Sequence, residues 1–366
     1  MRIAFVHFPG RLSRLAEARA GAAPTEFLFG AVELERAGHE VSHHEVDPSA
    51  PTSRVARRLI DANAGRGHLP PHLQAAVLAG TRRLLPALGE ADVVIATTTA
   101  TATALAVWRR ARQLDRPLVG IVAGLVNAPW RATRRRTTLP LLRRMHPVLY
   151  GPGELETMRA LDSSLDDRVH VVPFGVDTAF WTPSDGVQQD DVVAIGNDGH
   201  RDYGTLVRAA TSIPARVRIL TRRPRPPDLP ANVSWEEADW YTQVLSDAQV
   251  RDVFRGAAAV VVPVEDVPQP SGQSVTLQAM ACARPVVLTR TRGLWAPEAL
   301  RDGENVLLTA PGDAKGIARA VGAVLDDRRR GTEIGSAARD EVERNASVSA
   351  YAERLLAVCR LALARP

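Results

Sequence analysis

The chain has 366 residues, of which 45% are hydrophobic, and a formal net charge of +5. This length exceeds what one hydrophobic core usually supports, so two domains are expected. No apolar run approaches the roughly 18 residues needed to cross a bilayer, and the strand-like start from Met1 to Phe8 breaks at Pro9, too early for a secretory signal. These features argue against integral membrane and secreted proteins and predict a cytoplasmic one. Cys282 and Cys359 are expected to be buried thiols rather than a disulfide.

In the first half, apolar runs that alternate with helical stretches predict a parallel α/β domain. The strands are expected at residues 2–8, 41–46, 92–96, 117–123, 147–150 and 169–173. The clearest helix is predicted at 25–37, where apolar residues recur at helical spacing before Gly38. The first half therefore indicates a domain that binds its ligand at the carboxyl ends of the parallel strands.

An arginine-rich stretch, Arg131–Arg144, surrounds the apolar residues 139–142. It fits either a solvated helix face or a surface that docks to anionic lipid or to an acidic acceptor, so peripheral contact with the inner face of a membrane is an alternative to a purely cytoplasmic location. Aromatic residues that could stack on bases are missing around it, which argues against a nucleic-acid partner.

The second half repeats the plan, with strands expected at 191–195, 217–221, 258–263, 285–289 and 305–308 and a helix at 203–210. Residues 171–183, rich in Pro and Gly, predict an extended connector between the two domains, with hinge residues at 175–177. A last helix is expected at 347–364.

The segment 270–287 joins a Gly-bearing turn to a helix, predicted at 274–283, and then to a strand. Gly272 permits a tight turn, and Ser271 or Ser274 is expected to cap the helix. The N–H groups of Gly272, Gln273 and Ser274 would then point at an anion, for which a phosphate is the natural candidate.

Two motifs carry a resemblance to a known family. Leu277-Gln-Ala-Met-Ala-Cys-Ala-Arg-Pro-Val286 and Pro173-Phe-Gly-Val-Asp-Thr-Ala-Phe-Trp-Thr-Pro183 resemble the donor site and the second-domain entry of retaining glycosyltransferases of family four. The resemblance implies the α/β GT-B fold, with two Rossmann-like domains, a cleft between them and a C-terminal helix that crosses back to the first domain. The implied domains are 1–172 for the acceptor, 173–345 for the nucleotide sugar, and 346–366 for the final helix.

The same resemblance implies which residues bind the donor. Gln278 stands where the family has a glutamate that accepts hydrogen bonds from ribose hydroxyls, and Pro270 stands where it has its first glutamate. The resemblance and the βα turns add further donor-binding candidates, which are Gly10, Gly196, Arg201, Arg222, Gly272, Gln273 and Ser274. Arg201 is expected on the phosphates, the alternative being a surface arginine, and Arg222 is expected either at the base or as a surface charge.

Possible sugar contacts are Glu265, Asp266 and Thr98, where the acids or Gln273 would replace the missing first glutamate. His7 and Arg201 are the catalytic candidates, although His7 also fits a histidine of the core. Residues 92–100 contain no histidine after the strand, and threonine is no base near neutral pH. This gap fits a retaining mechanism in which the departing phosphate takes the proton of the acceptor, which the sequence does not identify.

No metal-ligand spacing, dinucleotide fingerprint, nucleophile elbow or Walker loop is present, so neither a metal nor a cofactor is expected. The resemblance therefore predicts a metal-independent hexosyltransferase that uses a nucleotide-diphosphate sugar as co-substrate. The alternatives are a weakened nucleotide-sugar-binding partner protein and an epimerase or hydrolase on the same fold.

Overall fold

A computed structural model describes residues 1–47, 49–184, 190–238 and 244–365. The described residues form two compact units. The first contains Met1–Ala20, Phe27–Pro173 and the chain from Tyr351 onward, and the second contains Gly21–Glu26 and Phe174–Ala350. The sequence places residues 21–26 in the first domain, whereas the structure groups them with the second because Thr25 and Glu26 hydrogen-bond there.

The described part of the first unit contains a sheet of six parallel strands in the order β2-β1-β3-β4-β5-β6. Its central strands are apolar runs, buried on both faces as a parallel sheet requires. The strands are β1 Arg2–His7, β2 Glu40–Glu45, β3 Val93–Ala96, β4 Leu118–Ile121, β5 His146–Leu149 and β6 His170–Val171. The helices are α1 Leu15–Arg19, α2 Ala31–Arg36, α3 Arg54–Gly65, α4 Ala75–Leu88, α5 Thr99–Arg110, α6 Ala132–Leu142 and α7 Pro152–Leu161.

The second unit, over its described residues, also contains six parallel strands, in the order β12-β11-β10-β7-β8-β9. The strands are β7 Val192–Ile195, β8 Val217–Leu220, β9 Val233–Glu236, β10 Ala259–Val262, β11 Val286–Thr289 and β12 Leu307–Thr309. The helices are α8 Tyr203–Ala210, α9 Asp247–Gly256, α10 Gln273–Ala281, α11 Ala314–Asp326, α12 Arg328–Asn345 and the start of α13, Val348–Ala364. The eleven strands predicted across both halves are confirmed.

The edge strand β9 was not predicted. Its sequence Val-Ser-Trp-Glu alternates in polarity and pairs with one neighbour, β8, so it lacks the continuous apolar run by which the buried strands were found.

The predicted helix at 25–37 is wrong in its first half. A 3-10 turn, Glu26–Leu28, is followed by Phe29 and Gly30 with φ of 57° and 79°, and only then does α2 begin. Left-handed backbone cannot continue a right-handed helix. The break brings Gly30 against the final helix, because a Cβ atom at position 30 would lie 2.9 Å from Ala352 Cβ.

The part of α13 from Tyr351 onward packs within the first unit, as predicted. Tyr351, Leu355 and Cys359 share a hydrophobic cluster with Ile3 and Phe5 of β1.

Cys282 and Cys359 are buried and are not bonded to each other, which confirms the prediction of two buried thiols. Burial raises the pKa of each thiol to about 12. None of the described helices has the length and apolar composition that a membrane span requires.

The close approach of Gly30 to Ala352 gives a test of this packing. Gly30→Ala should lower the free energy of unfolding by ~1–2 kcal/mol through left-handed backbone strain, and by a further ~1–3 kcal/mol through overpacking. Gly38→Ala is the matched control, because Gly38 also has a positive φ, 85°, but a Cβ atom there meets nothing within 4 Å. Urea denaturation of both variants measures the difference, and equal losses would contradict the packing.

Candidate functional site

In the second unit, α10 begins without a side-chain cap. Gly272 occupies the N-cap position with φ of 77°, and no side chain among the described residues caps it. The prediction that Ser271 or Ser274 caps this helix is therefore wrong, since the Ser271 hydroxyl instead donates to Asp198 Oδ1 over 2.6 Å. The first-turn N–H groups are left without a side-chain acceptor, which is the arrangement that binds anions.

Arg201 lies against this helix start. Its side chain is 4% exposed, so the alternative of a surface arginine is wrong. A Cβ atom at Gly272 would lie 2.9 Å from Arg201 Nη1, and one at Gly196 would lie 2.6 Å from Nη2. Three predicted donor residues, Gly196, Arg201 and Gly272, are thus brought together in one unit by two glycines that leave room for the guanidinium.

The guanidinium keeps unused donors. Arg201 Nε lies 2.7 Å from Asp198 Oδ2, close enough for an ion pair, but its N–H is not directed at that oxygen. Neither Nε nor Nη1 has a hydrogen-bond acceptor in the described part of the chain. Because buried donors are normally satisfied, these two mark a place where an incoming acceptor would gain hydrogen bonds.

Asp198 is the negative partner of this group. Burial acts to raise the pKa of Asp198, but the charge of Arg201 and hydrogen bonds from Ser271 and His200 N outweigh it, so the pKa lies below its ordinary value. Asp198 is therefore ionised near neutral pH and offsets the charge of Arg201.

The loops after β7 and β8 are tied to each other. Asn197, which takes the place of an arginine of the family, donates to Ala238 O over 2.9 Å and accepts from Arg222 N over 2.7 Å. Thr221 and Tyr203 both donate to Gly196 O over 2.7 Å. Asn197 thus has a structural role, while the side chain of Arg222 belongs to an exposed residue at the ligand edge of the sheet.

Two glutamines and a serine of α10 are also predicted to bind the donor. Gln273 is 5% exposed, and its Nε2 atom has no hydrogen-bond acceptor among the described residues. Ser274 and Gln278 are partly exposed and lie four residues apart, on one side of the helix. Gln278 Nε2 donates to Glu26 Oε1 over 3.1 Å, a contact within the second unit.

The C-terminal end of α10 faces arginines. Arg339 Nη1 donates to Ala281 O, and Arg284 Nε donates to Cys282 O over 3.3 Å. Cations at a helix C-terminus and an uncapped N-terminus both suit the helix dipole, which favours an anion at the Gly272 end.

The two acids predicted to contact sugar differ in availability. Asp266 forms an ion pair with Arg292, Oδ2 to Nε 3.0 Å, and also accepts from Arg292 N. Glu265 is more exposed and lies 3.7 Å from His200 Nδ1. Of the two, Glu265 has the less restrained carboxylate.

In the first unit, His7 is fully buried and its Nε2 lies 3.3 Å from His43 Nδ1. Burial, followed by the charges of His43, Arg11 and His44, lowers the pKa of His7 to about 3, so it is neutral. This environment is that of a core histidine rather than of a group that contacts a substrate.

The other candidates in the first unit are Gly10 and Thr98. Gly10 is exposed in a turn with φ of 88°. Thr98 is the N-cap of α5, where its hydroxyl accepts from Thr101 N as half of a capping box. Its hydroxyl therefore already has a structural role.

The described residues contain no group of three or more His, Cys, Asp or Glu side chains placed to hold a metal ion. What the second unit offers instead is an uncapped helix start, a buried guanidinium with unused donors and two partly exposed polar side chains. This set can bind an anionic group with hydroxyls beside it.

Sequence reasoning missed Asp198 and Glu26, and it gave Ser271 the role of a helix cap instead of a donor to Asp198. The spacing of Asp198 and Arg201, three residues apart in one turn, could have indicated the ion pair. No local pattern could have indicated Glu26, because its contact with Gln278 spans 252 residues of sequence.

Sequence comparisons match part of this chain to a known family and its relatives. Residues 191–327 match the family model described as glycosyl transferases group 1. The chain is 30% identical over 238 residues to α-maltose-1-phosphate synthase of Mycolicibacterium smegmatis, covering 56% of this chain and 59% of that protein. It is 28% identical over 188 residues to D-inositol 3-phosphate glycosyltransferase of Acidothermus cellulolyticus, covering 44% and 41%. The chain thus spans less than two thirds of the length of these relatives.

Structural comparisons confirm the GT-B fold. Sucrose-phosphate synthase from Thermosynechococcus elongatus superposes with a TM-score of 0.72 at 17% identity over 100% of both chains. HepE from Anabaena, solved in complex with UDP-glucose, superposes with a TM-score of 0.66 at 17% identity over 98% of both. The resemblance predicted from the sequence is confirmed over residues 191–327, which match the family model of the group 1 glycosyltransferases. The solved structures, at 17% identity, confirm the fold.

Proposed function

We propose that this chain is a hexosyltransferase that moves a sugar from a nucleotide-diphosphate sugar to an acceptor. The observation that carries the proposal is the uncapped start of α10 beside Arg201, whose buried Nε and Nη1 atoms lack acceptors among the described residues. The relative named as a glycosyltransferase supports sugar transfer, and the UDP-glucose complex of HepE supports the same donor class.

The chemistry follows from the charge of the leaving group. When the bond between sugar and diphosphate breaks, negative charge grows on the phosphate oxygens, and the N–H groups of Gly272, Gln273 and Ser274 with Arg201 would stabilise it. We propose retention of configuration, with the departing phosphate taking the proton of the acceptor. Because the cationic part is supplied by Arg201 and the helix start, the proposal requires neither a metal nor a cofactor.

Two other functions are less favoured. A binding protein without turnover and an epimerase or hydrolase would use the same fold, but the curated relatives are named as a synthase and a glycosyltransferase, which favours transfer. Donor turnover distinguishes the three. Transfer needs an acceptor, hydrolysis releases nucleotide without one, and a binding protein releases none.

Nucleotide binding is the first prediction of this proposal. UDP, GDP, ADP and TDP at about 100 times the dissociation constant should stabilise the fold by about 2.7 kcal/mol for the base that fits. Thermal melting of the full chain with each diphosphate measures this, and the matching nucleoside is the control that lacks phosphate. If no diphosphate raises the melting temperature, the proposed donor site is wrong.

Arg201→Ala should weaken binding of the preferred nucleoside diphosphate by ~1.5–3 kcal/mol, because a charged hydrogen-bonding group is lost from a buried site. Arg216→Ala is the matched control, since Arg216 is an exposed arginine of the same unit that precedes β8, at the opposite sheet edge. Calorimetric titration compares them, with melting temperatures to verify folding. Equal affinities in both variants would remove Arg201 from the site.

Peripheral contact with an anionic membrane, on the inner face of the cell membrane, is a second part of the proposal, alongside the cytoplasmic location expected from the sequence. Within Arg131–Arg144, Arg134 is buried and donates to the carbonyls of three other residues, whereas Arg136 is exposed. The neighbouring α3 adds exposed apolar side chains, Val55 at 67% and Leu59 at 60%. Exposed arginines and protruding apolar side chains are the two features that bind a protein to the interface of an anionic bilayer.

Vesicle binding tests this surface. The chain should sediment with vesicles that contain phosphatidylglycerol and not with pure phosphatidylcholine, and Arg135→Glu with Arg136→Glu should weaken binding by about 1 kcal/mol or more for each arginine. Val55→Asp with Leu59→Asp should weaken it as well. Leu361→Asp with Leu363→Asp, two exposed leucines of α13, is the control. Equal sedimentation of all variants would contradict the contact.

A further inference from the structure

A buried carboxylate holds the amide of Gln278. Glu26 is 4% exposed, and its Oε1 atom accepts from Gln278 Nε2 over 3.1 Å and from Trp181 Nε1 over 2.6 Å. Its Oε2 atom accepts from Asp177 N over 3.1 Å. All these residues belong to the second unit. Both carboxylate oxygens are thus fixed by neutral donors, and one of these donors is the residue predicted to contact ribose.

This contact determines which polar atom of Gln278 is available. A side-chain amide has a donor on one side and an acceptor on the other. Because Nε2 donates to Glu26, the Oε1 atom is the one directed away from that carboxylate, and Gln278 is partly exposed. The orientation leaves an acceptor for a hydroxyl group.

We propose that Glu26 is a positioning residue that orients Gln278 so that its Oε1 atom accepts a hydrogen bond from a ribose hydroxyl of the donor. The inference rests on the proposed function, since it assumes a nucleotide donor at α10. It assigns to an N-terminal residue a role in selecting ribonucleotides over deoxyribonucleotides, exerted through the orientation of an amide.

The pair also explains why a glutamine occupies position 278. A glutamate there would place a second carboxylate about 3 Å from Glu26 Oε1, and two like charges at that distance cannot both ionise without a large cost. Glutamine removes the repulsion and, held by Glu26, still provides an acceptor. Residues 26 and 278 therefore act as a matched pair.

Protonation of Glu26 should loosen this orientation. Burial raises the pKa of Glu26 to about 7, opposed by hydrogen bonds from Gln278 and Trp181 and aided by the nearby Asp177. Above this pH the carboxylate can only accept, which fixes Nε2 toward it. Below it, the carboxyl group carries a proton that can be donated to Gln278 Oε1, which would turn the acceptor away from the ligand.

The test compares UDP with its 2′-deoxy and 3′-deoxy analogues, or the diphosphate of whichever base binds, by calorimetric titration of the full chain. The readout is the ratio of dissociation constants, deoxy over ribo, because effects on the phosphates are common to both ligands and cancel. At pH 8.5 the wild-type ratio should be about tenfold for at least one analogue, as expected for a lost hydrogen bond. At pH 5.5 it should fall toward one.

Variants separate positioning from stability. Gln278→Met and Glu26→Leu should both bring the ratio at pH 8.5 close to one. Val321→Ala is the control, because Val321 is buried in a separate hydrophobic cluster of the same unit, so the variant lowers the melting temperature but leaves the hydrogen bonds of Glu26 and the ratio intact. The pH comparison uses the wild-type chain, so it holds even where Glu26→Leu fails to fold.

The outcomes distinguish this inference from the proposed function. If the diphosphates do not bind at all, the proposed function fails. If UDP binds but both deoxy analogues bind equally well at pH 8.5, or Gln278→Met keeps the wild-type ratio, Gln278 is not the acceptor. If Glu26→Leu folds and keeps the ratio, or the wild-type ratio is the same at both pH values, the positioning role of Glu26 is overturned.

Discussion

The second unit depends on a helix that begins without a cap. At Gly272 the left-handed backbone and the absence of a Cβ atom leave space that Val262 Cγ1 and Arg201 Nη1 fill, with a Cβ at that position only 2.5 Å and 2.9 Å from them. Any other residue would displace the arginine or strain the turn. The same glycine therefore allows Val262 and Arg201 to pack against the turn and leaves the N–H groups of the helix start uncapped.

Departures from the family motif are compensated within this unit. Asn197 cannot bind phosphate as an arginine would, but it joins the loops after β7 and β8 and so supports the turn that carries Arg201. Gln278 lacks the charge of a glutamate, but it is held by one, Glu26. A carboxyl group thus lies beside the helix rather than on it, so each substitution is better understood together with its hydrogen-bond partner.

The strands could be predicted from sequence because a parallel sheet buried on both faces requires apolar runs, and β3, β4 and β10 consist of them. The same rule missed β9, an edge strand of mixed polarity. The helix at 25–37 was predicted from periodicity, which does not reveal that Gly30 must approach Ala352. The Gly-bearing turn before α10 was found because its signals are local. Glu26 was missed because its partner, Gln278, is distant in sequence. Asp198 lies only three residues before Arg201, so its ion pair had a local signal that the motif search did not use.

The ion pair of Arg201 and Asp198 compensates a buried positive charge and still leaves donors of the guanidinium without acceptors among the described residues. A buried arginine alone would be costly to desolvate, and a fully hydrogen-bonded pair would have no donors left for a ligand. Here Asp198 compensates the charge at 2.7 Å without taking the N–H of Nε, while Ser271 and His200 N hold the carboxylate in place. Under the proposed function, a diphosphate would therefore engage Nε and Nη1 without first breaking an aligned hydrogen bond, and Asp198 would keep its other partners.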